Sequence, residues 1–230
     1  MITRCFFVLI SLMAGLYHVS GTAEPVSITL TFEPDLRNGR VIYETCAACH
    51  LPEGWGSADG TYPQIAGQHL KVILKQLLDI RDGQRENALM YPFVQERTIG
   101  GYQSLVDVAS YITKLPMHPQ HQQGPYNDFK PEYKQGEKLY SQFCSSCHGQ
   151  HAEGKNETRI PRLQGQHYPY MMRQISLIQG GIRQVDPTMK AIVDQLSDDE
   201  LRYIINFVSY IPVPEDQRAP SLNWRNTDFD

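Results

Sequence analysis

Cys46-Ala47-Ala48-Cys49-His50 and Cys144-Ser145-Ser146-Cys147-His148 are the two words that decide how this 230-residue sequence is read. They share the spacing Cys-x-x-Cys-His and stand 98 residues apart. The same offset joins Pro63 to Pro161, Gly67-Gln68-His69 to Gly165-Gln166-His167, and Gln76 to Gln174. It also joins Gly83 to Gly181 and Arg85 to Arg183. At an offset of 99, Met90 pairs with Met189 and Ser110-Tyr111-Ile112 with Ser209-Tyr210-Ile211. That period is far longer than those of solenoid repeats, so the chain reads as a tandem duplication of a small domain. Met117 to Lys130 lies between the copies, is polar and carries Pro119, Gly124 and Pro125, and reads as a linker.

Cys-x-x-Cys-His is the attachment signal for c-type haem. Its two thiols form thioethers with the haem vinyl groups, and the adjacent imidazole lies under the iron. A redox-active Cys-x-x-Cys would suit a βαβ context, and a zinc site would need four ligands converging in one domain. Neither pattern is present. Two covalent haems are therefore expected, held by Cys46 and Cys49 with His50, and by Cys144 and Cys147 with His148.

Composition agrees with a globular chain: 41% of residues are apolar and 20% charged. The net charge is −4 with no basic cluster, which excludes a nucleic-acid partner of the phosphate-neutralising kind. At the N-terminus, Arg4 precedes an apolar run from Cys5 to Leu16, then Gly21 and Ala23. This is the pattern of an export signal, expected over residues 1–23, and an uncleaved anchor is the alternative. The run is short of the ~20 residues of a membrane span. The expected location is the periplasm, where thiol oxidation is permitted, with membrane contact only through a redox partner. The first domain is expected over 24–117, the linker over 118–130 and the second domain, with a polar tail, over 131–230.

Periodicity places helices in both halves and suggests no strands, so the expected fold is all-α with long loops wrapped around each haem. Leu70, Ile73, Leu74, Leu77 and Leu78 form one helix face. Leu105, Val108, Ala109 and Ile112 form another, ending near Leu115-Pro116. Ser197-Asp198-Asp199-Glu200 is a capping box before Leu201, Ile204, Ile205 and Val208, and Pro212 ends that helix. Short helices are expected from Leu36 to Cys46 and from Glu132 to Cys144.

Met, His or an open position could complete each iron site. Met90 and Met189 follow their histidines by 40 and 41 residues and are the only equivalent methionine pair beyond the signal. They are the expected sixth ligands. Met171 and Met172 read as helix packing. His69 and His167 are also equivalent, which leaves bis-His ligation as a weaker option; otherwise they read as partly exposed caps or neighbours of a haem propionate.

The two Cys-x-x-Cys-His words, Tyr62-Pro63-Gln64-Ile65-Ala66-Gly67-Gln68 and Ile160-Pro161-Arg162-Leu163-Gln164-Gly165-Gln166 together resemble the di-haem class I cytochromes c, nearest the cytochrome c4 group. Arg81-Asp82-Gly83-Gln84-Arg85 before Met90, and Gly180-Gly181-Ile182-Arg183 before Met189, fit the same family. The resemblance implies two His/Met-ligated haem domains packed as a pseudo-twofold pair. It also implies that Pro63 and Pro161, each 13 residues after its histidine, offer a carbonyl to the other ring nitrogen. A ligating imidazole needs such an acceptor to fix its tautomer. Transient partners such as a terminal oxidase or a periplasmic dehydrogenase are implied. The implied function is a mobile electron carrier rather than an enzyme. A permanent electron-transfer subunit of a dehydrogenase is the alternative, and a haem enzyme with an open iron is a more distant one. The half from Glu24 to Gln122 carries 11 acidic and 8 basic residues, and the rest 14 and 12, so no strong dipole steers docking.

Overall fold

The structure is a computed structural model that describes residues 33–229. The expected export signal lies outside the described residues. Ten α-helices and two 3-10 turns occur among those residues, with isolated bridges but no strand. The expected all-α fold is what the chain adopts. No helix among the described residues is long and apolar enough to cross a membrane.

The first half is built on α1 (Leu36–His50), α2 (Leu70–Arg81), the one-turn helices α3 (Tyr91–Val94) and α4 (Glu96–Ile99), and α5 (Tyr102–Ile112). Asp35 caps α1 by accepting from the amides of Arg37 and Asn38. α1 crosses α5 at Gly39, where a Cβ would overlap the Asp107 carbonyl. Only glycine allows two backbones so near each other. The second half repeats this with α6 (Pro131–Phe143), α7 (Ser145–His148), α8 (Tyr168–Gln179), α9 (Pro187–Gln195) and α10 (Asp198–Tyr210). Gly136 of α6 meets the Tyr203 carbonyl of α10 in the same way.

The capping box opens α10 as expected: Glu200 N donates to Ser197 Oγ, and Ser197 N donates to the Glu200 carboxylate. The helix before each cysteine word departs from expectation. α1 runs unbroken through Cys46 to His50, whereas the second stops at Phe143. Cys144 adopts φ −116°, and the chain restarts as the single turn α7. α5 also stops at Ile112, three residues before Leu115, because Lys114 N and Leu115 N donate to the carbonyls of Tyr111 and Ile112, three residues back, and close a tighter final turn.

Two apolar cores result. One gathers Leu139, Tyr140, Ile175, Leu201, Ile204 and Val208. The other gathers Tyr43, Trp55, Ile73, Val108, Ile112 and Leu115. The tail, expected with the second domain, lies instead on the first core: Ala219 is buried there, and Trp224 and Phe229 pack against it. The aromatic rings of Tyr43 and Trp55 supply the apolar surface that these two tail rings need.

The linker bonds to α10, mainly through its backbone. Gly124 N donates to Ser209 Oγ (2.9 Å), and Tyr126 N donates to Asn206 Oδ1 (2.9 Å). Asn206 Nδ2 returns a bond to the Tyr126 carbonyl (2.7 Å), and Tyr210 Oη donates to that of Gly124 (3.0 Å). His121 is buried, with Nε2 on the Ser209 carbonyl at 2.8 Å.

Candidate haem sites

His50 ends α1 and His148 ends α7, and both rings are buried. His50 Nδ1 lies 3.0 Å from the Pro63 carbonyl, and His148 Nδ1 lies 3.1 Å from that of Pro161. A carbonyl only accepts, so each Nδ1 carries the proton and each Nε2 keeps its lone pair. Burial lowers the proton affinity of both rings, against the carbonyl bond that raises it. Each imidazole is thus held neutral, in the tautomer a metal ligand needs.

The loops that bring these prolines back are the same in both halves. Gly56 N donates to the His50 carbonyl (3.0 Å), and Gly154 N to the His148 carbonyl (2.8 Å). Ala66 N and Gln164 N close the loops on the Gly54 and Ala152 carbonyls. Gly56 and Gly154 have φ of 69° and 68°, and a Cβ on either would stand 2.5 Å from a carbonyl oxygen of the proline segment. The glycines are 98 residues apart, so the repeat itself held the signal that these positions matter.

Cys46, Cys49 and Cys144 are half-buried, Cys147 is exposed, and all four are free thiols. Burial pushes the bare thiol of Cys46 up to about 11 and that of Cys144 up to about 12. Free thiols beside a buried imidazole with an open Nε2 suit a haem that is bonded through sulfur and ligated through nitrogen. Four thiolates converging on one metal would be a different site, and no cluster of three or more metal-ligating His, Cys, Asp or Glu occurs among the described residues.

Met90 is half-buried and precedes α3, where its amide donates to the Asn87 carbonyl (3.1 Å). Met189 is half-buried in the first turn of α9 and packs on the second core. Met171 is buried in α8, as a packing residue should be. Met117 is also buried, where a Cβ on Gly67 or Gly165 would meet its side chain at 2.6 and 2.5 Å.

His69 and His167 need correcting. Each stands at a helix N-cap, but neither makes a side-chain capping bond. Each instead reaches into the opposite half: His69 Nε2 to the Glu153 carbonyl at 2.8 Å, His167 Nε2 to the Trp55 carbonyl at 2.7 Å. His167 Nδ1 also accepts from Gln122 N (3.1 Å), which leaves that ring no free nitrogen for a metal.

Other repeat residues join the same contact. Gln68 Nε2 donates to the Arg162 carbonyl (2.9 Å), and Gln166 Nε2 to the Gln64 carbonyl (2.8 Å). Arg85 and Arg183 meet at a backbone bridge, and both guanidinium groups donate to Gln76 and Gln174. Arg85 Nη2 also donates to Tyr170 Oη (3.0 Å). Burial, reinforced by the charge of Arg85, pushes Arg183 down to about 10. Neither arginine has an Asp or Glu partner within ion-pair distance among the described residues. Two adjacent guanidiniums without a carboxylate fit a site completed by an anionic group. Sequence reasoning found these residues as repeat members without seeing that they face each other.

Comparison with known proteins agrees with this arrangement. A family model described as "Cytochrome c" matches residues 36–116, and one described as "Cytochrome C oxidase, cbb3-type, subunit III" matches 131–208. Cytochrome c4 of Thiocapsa roseopersicina is 31% identical over 175 residues, covering 71% of this chain and 85% of that protein. A thiosulfate dehydrogenase electron acceptor of Thiomonas intermedia is 25% identical, covering 76% of this chain and 82% of that protein. The crystal structure of reduced recombinant cytochrome c4 from Pseudomonas stutzeri superposes with a TM-score of 0.65 at 26% identity, covering 76% of this chain and 98% of that one.

Proposed function

This chain belongs to the cytochrome c4 family, and from that premise we propose that it is a periplasmic carrier whose irons are each ligated by one histidine and one methionine. It is a di-haem electron carrier with two covalent haem c groups. Each haem supplies a one-electron couple whose potential follows its axial ligands and surroundings.

Cys46 and Cys49 hold the first group and Cys144 and Cys147 the second. His50 with Met90 would ligate the first iron, and His148 with Met189 the second. Pro63 and Pro161 orient the two imidazoles through the Nδ1 bonds. The guanidiniums of Arg85 and Arg183 balance the carboxylates that each haem carries. A closed, six-ligand iron suits electron transfer rather than substrate chemistry, so we assign no catalytic residue.

The observation that carries this reading is the duplicated buried imidazole, fixed through Nδ1 with Nε2 left open, at both Cys-x-x-Cys-His words. The test is a carbon monoxide difference spectrum of reduced holoprotein together with a count of covalent haem. Two haems and no carbon monoxide binding are expected. Binding at one haem would overturn the closed ligation there and bring an enzymatic reading forward.

A terminal oxidase or a periplasmic dehydrogenase is the partner class we propose. The resemblance to a thiosulfate dehydrogenase electron acceptor favours a second reading, in which the chain serves a dehydrogenase as a lasting electron-transfer subunit. Co-purification of a second chain at constant stoichiometry would select it.

A further inference from the structure

The tail makes an asymmetry that the duplication does not account for. Met117 N donates to the Gln217 carbonyl (2.9 Å), and Ala219 N donates to the Met117 carbonyl (2.8 Å), so the chain is tied to the first half as it leaves the second. Asn226 Nδ2 then donates to the Pro52 carbonyl (2.8 Å) and to Tyr111 Oη (2.9 Å). Tyr111 Oη donates to the Asp228 carboxylate (2.8 Å), and Arg40 Nη1 donates to the Asp228 carbonyl (2.6 Å). The Trp224 ring lies 5.9 Å from that of Trp55, and Phe229 meets Tyr43 edge-on at 5.8 Å. The tail therefore grips the stretch from Pro52 to Trp55, which begins two residues after His50.

A charge sits under this grip. The Glu53 side chain is only 7% exposed, and its one cation within ion-pair distance among the described residues is Arg225, at 3.9 Å. Arg225 is itself held by Nη1 donation to the Trp224 carbonyl (2.8 Å). In the second half the residue 98 positions after Glu53 is the exposed His151. The carboxylate of that loop stands two residues later at Glu153, half-buried against Gly149, with no tail arginine within ion-pair distance among the described residues. A buried carboxylate is poorly screened, so it acts on a charge-changing centre several ångströms away. A carboxylate favours the oxidised, more positive state of a nearby haem, and a neighbouring guanidinium offsets that.

We propose that the C-terminal segment from Arg218 to Phe229 is a strap that sets the potential of the first haem apart from that of the second. It clamps the Pro52–Trp55 stretch and places Arg225 against Glu53. The proposal rests on the reading that a haem is bound at Cys46, Cys49 and His50. Covalent haem content tests that reading separately.

The test is a redox titration of the holoprotein and its Arg225→Gln, Glu53→Gln and doubly substituted variants. Each midpoint is assigned to its haem through the paramagnetically shifted NMR signals of Ala47 and Ser145. With both haems retained, Arg225→Gln is expected to lower the first midpoint and Glu53→Gln to raise it. The double variant should fall between the two, with the second midpoint unmoved throughout. Midpoints that stay put, or that move together in both haems, would overturn the proposal. So would loss of the first haem in Arg225→Gln, which would make Arg225 a folding residue. As a second measurement, truncation after Arg218 should speed hydrogen exchange at the Gly54 and Gly56 amides and leave Gly154 unchanged. Unchanged exchange at all three would overturn the clamp.

Discussion

From His50 to Gln68 and from His148 to Gln166 the chain follows one path twice. The same amides close the loops, the same prolines receive the imidazoles, and the same glutamines and histidines cross to the other half. Outside that path the halves part. One cysteine word lies in a continuous helix and the other in a broken one. Tyr170, which accepts from Arg85, stands 98 residues after Val72, which has no hydroxyl. Only the first half is wrapped by the tail. The difference teaches that the loop and its crossing contacts form one repeated unit of construction, to which the helix leading in and the chain end attach differently in each half.

The most severe way to break the likeness is to fill the glycine that both loops share. Gly56→Ala and Gly154→Ala each place a methyl against backbone carbonyls at a positive φ. The loss should be about 4 kcal/mol in each, measured by denaturant unfolding of the holoprotein. The two variants should suffer alike. A large loss in one and a small loss in the other would mean that the loops are not equivalent.

Met117→Ala strikes what the halves share instead. This side chain is buried beside both Gly67 and Gly165, and Arg162 Nη1 donates to its sulfur (3.3 Å). Truncation should cost about 3 kcal/mol. Differential scanning calorimetry should show the single transition separating into two as the halves lose their common wedge. One transition merely shifted downwards would mean that the crossing glutamines and histidines suffice to couple them.

The contact between linker and α10 predicts an acid-sensitive step. Burial, opposed by the bond to the Ser209 carbonyl and helped by the charges of His167 and His118, lowers His121 to about 4. Its folded affinity for protons is thus below that of the unfolded chain, about 6.5. Stability is complete above pH 6.5 and falls as the pH drops, because the unfolded state takes up the proton first. The fall ends near pH 4, where the folded ring is also protonated. His121 alone should contribute about 2 to 3 kcal/mol to it. His118, also lowered to about 4 mainly by burial, adds in the same direction. Thermal melting between pH 7.5 and 4.5 should show the loss, and His121→Gln should flatten it. An unchanged slope in that variant would assign the acid sensitivity elsewhere.

The parts legible in the sequence were those written twice or fixed by a local signal. The cysteine words, the proline register, the α2 face and the capping box each follow from a local rule: a motif, a spacing or a period. His69 and His167 were visible as a pair, but their partners are backbone carbonyls of Glu153 and Trp55, and sequence carries no mark of a backbone acceptor in another domain. The tail was legible as polar and no further. Trp224 and Phe229 are too few and too irregularly spaced to announce a helix or a strand, and only the rings of Tyr43 and Trp55 at the first core give them a place. The break at Cys144 has no local breaker, since Cys144-Ser145-Ser146 contains neither glycine nor proline.

The smallest test exchanges a detail between the halves. Just after His50, Leu51 adopts φ 67° and ψ 156°, a region that costs a residue with a side chain about 1 to 3 kcal/mol. The second half has Gly149 at this place, with φ 87°, free of that strain. Leu51 is 42% exposed, so its side chain repays little of the cost by burial. Glycine would relieve the strain but add freedom to the unfolded chain, worth about 1 kcal/mol against it. Leu51→Gly should therefore stabilise the holoprotein by about 1 kcal/mol, read as a higher midpoint in denaturant, with covalent haem unchanged. Tyr43 Oη donates to the Leu51 carbonyl, as Tyr140 Oη does to that of Gly149, so the backbone is held from outside in both halves. If Leu51→Gly destabilises instead, the leucine side chain is holding the turn after His50, and the two halves reach the same turn by different means.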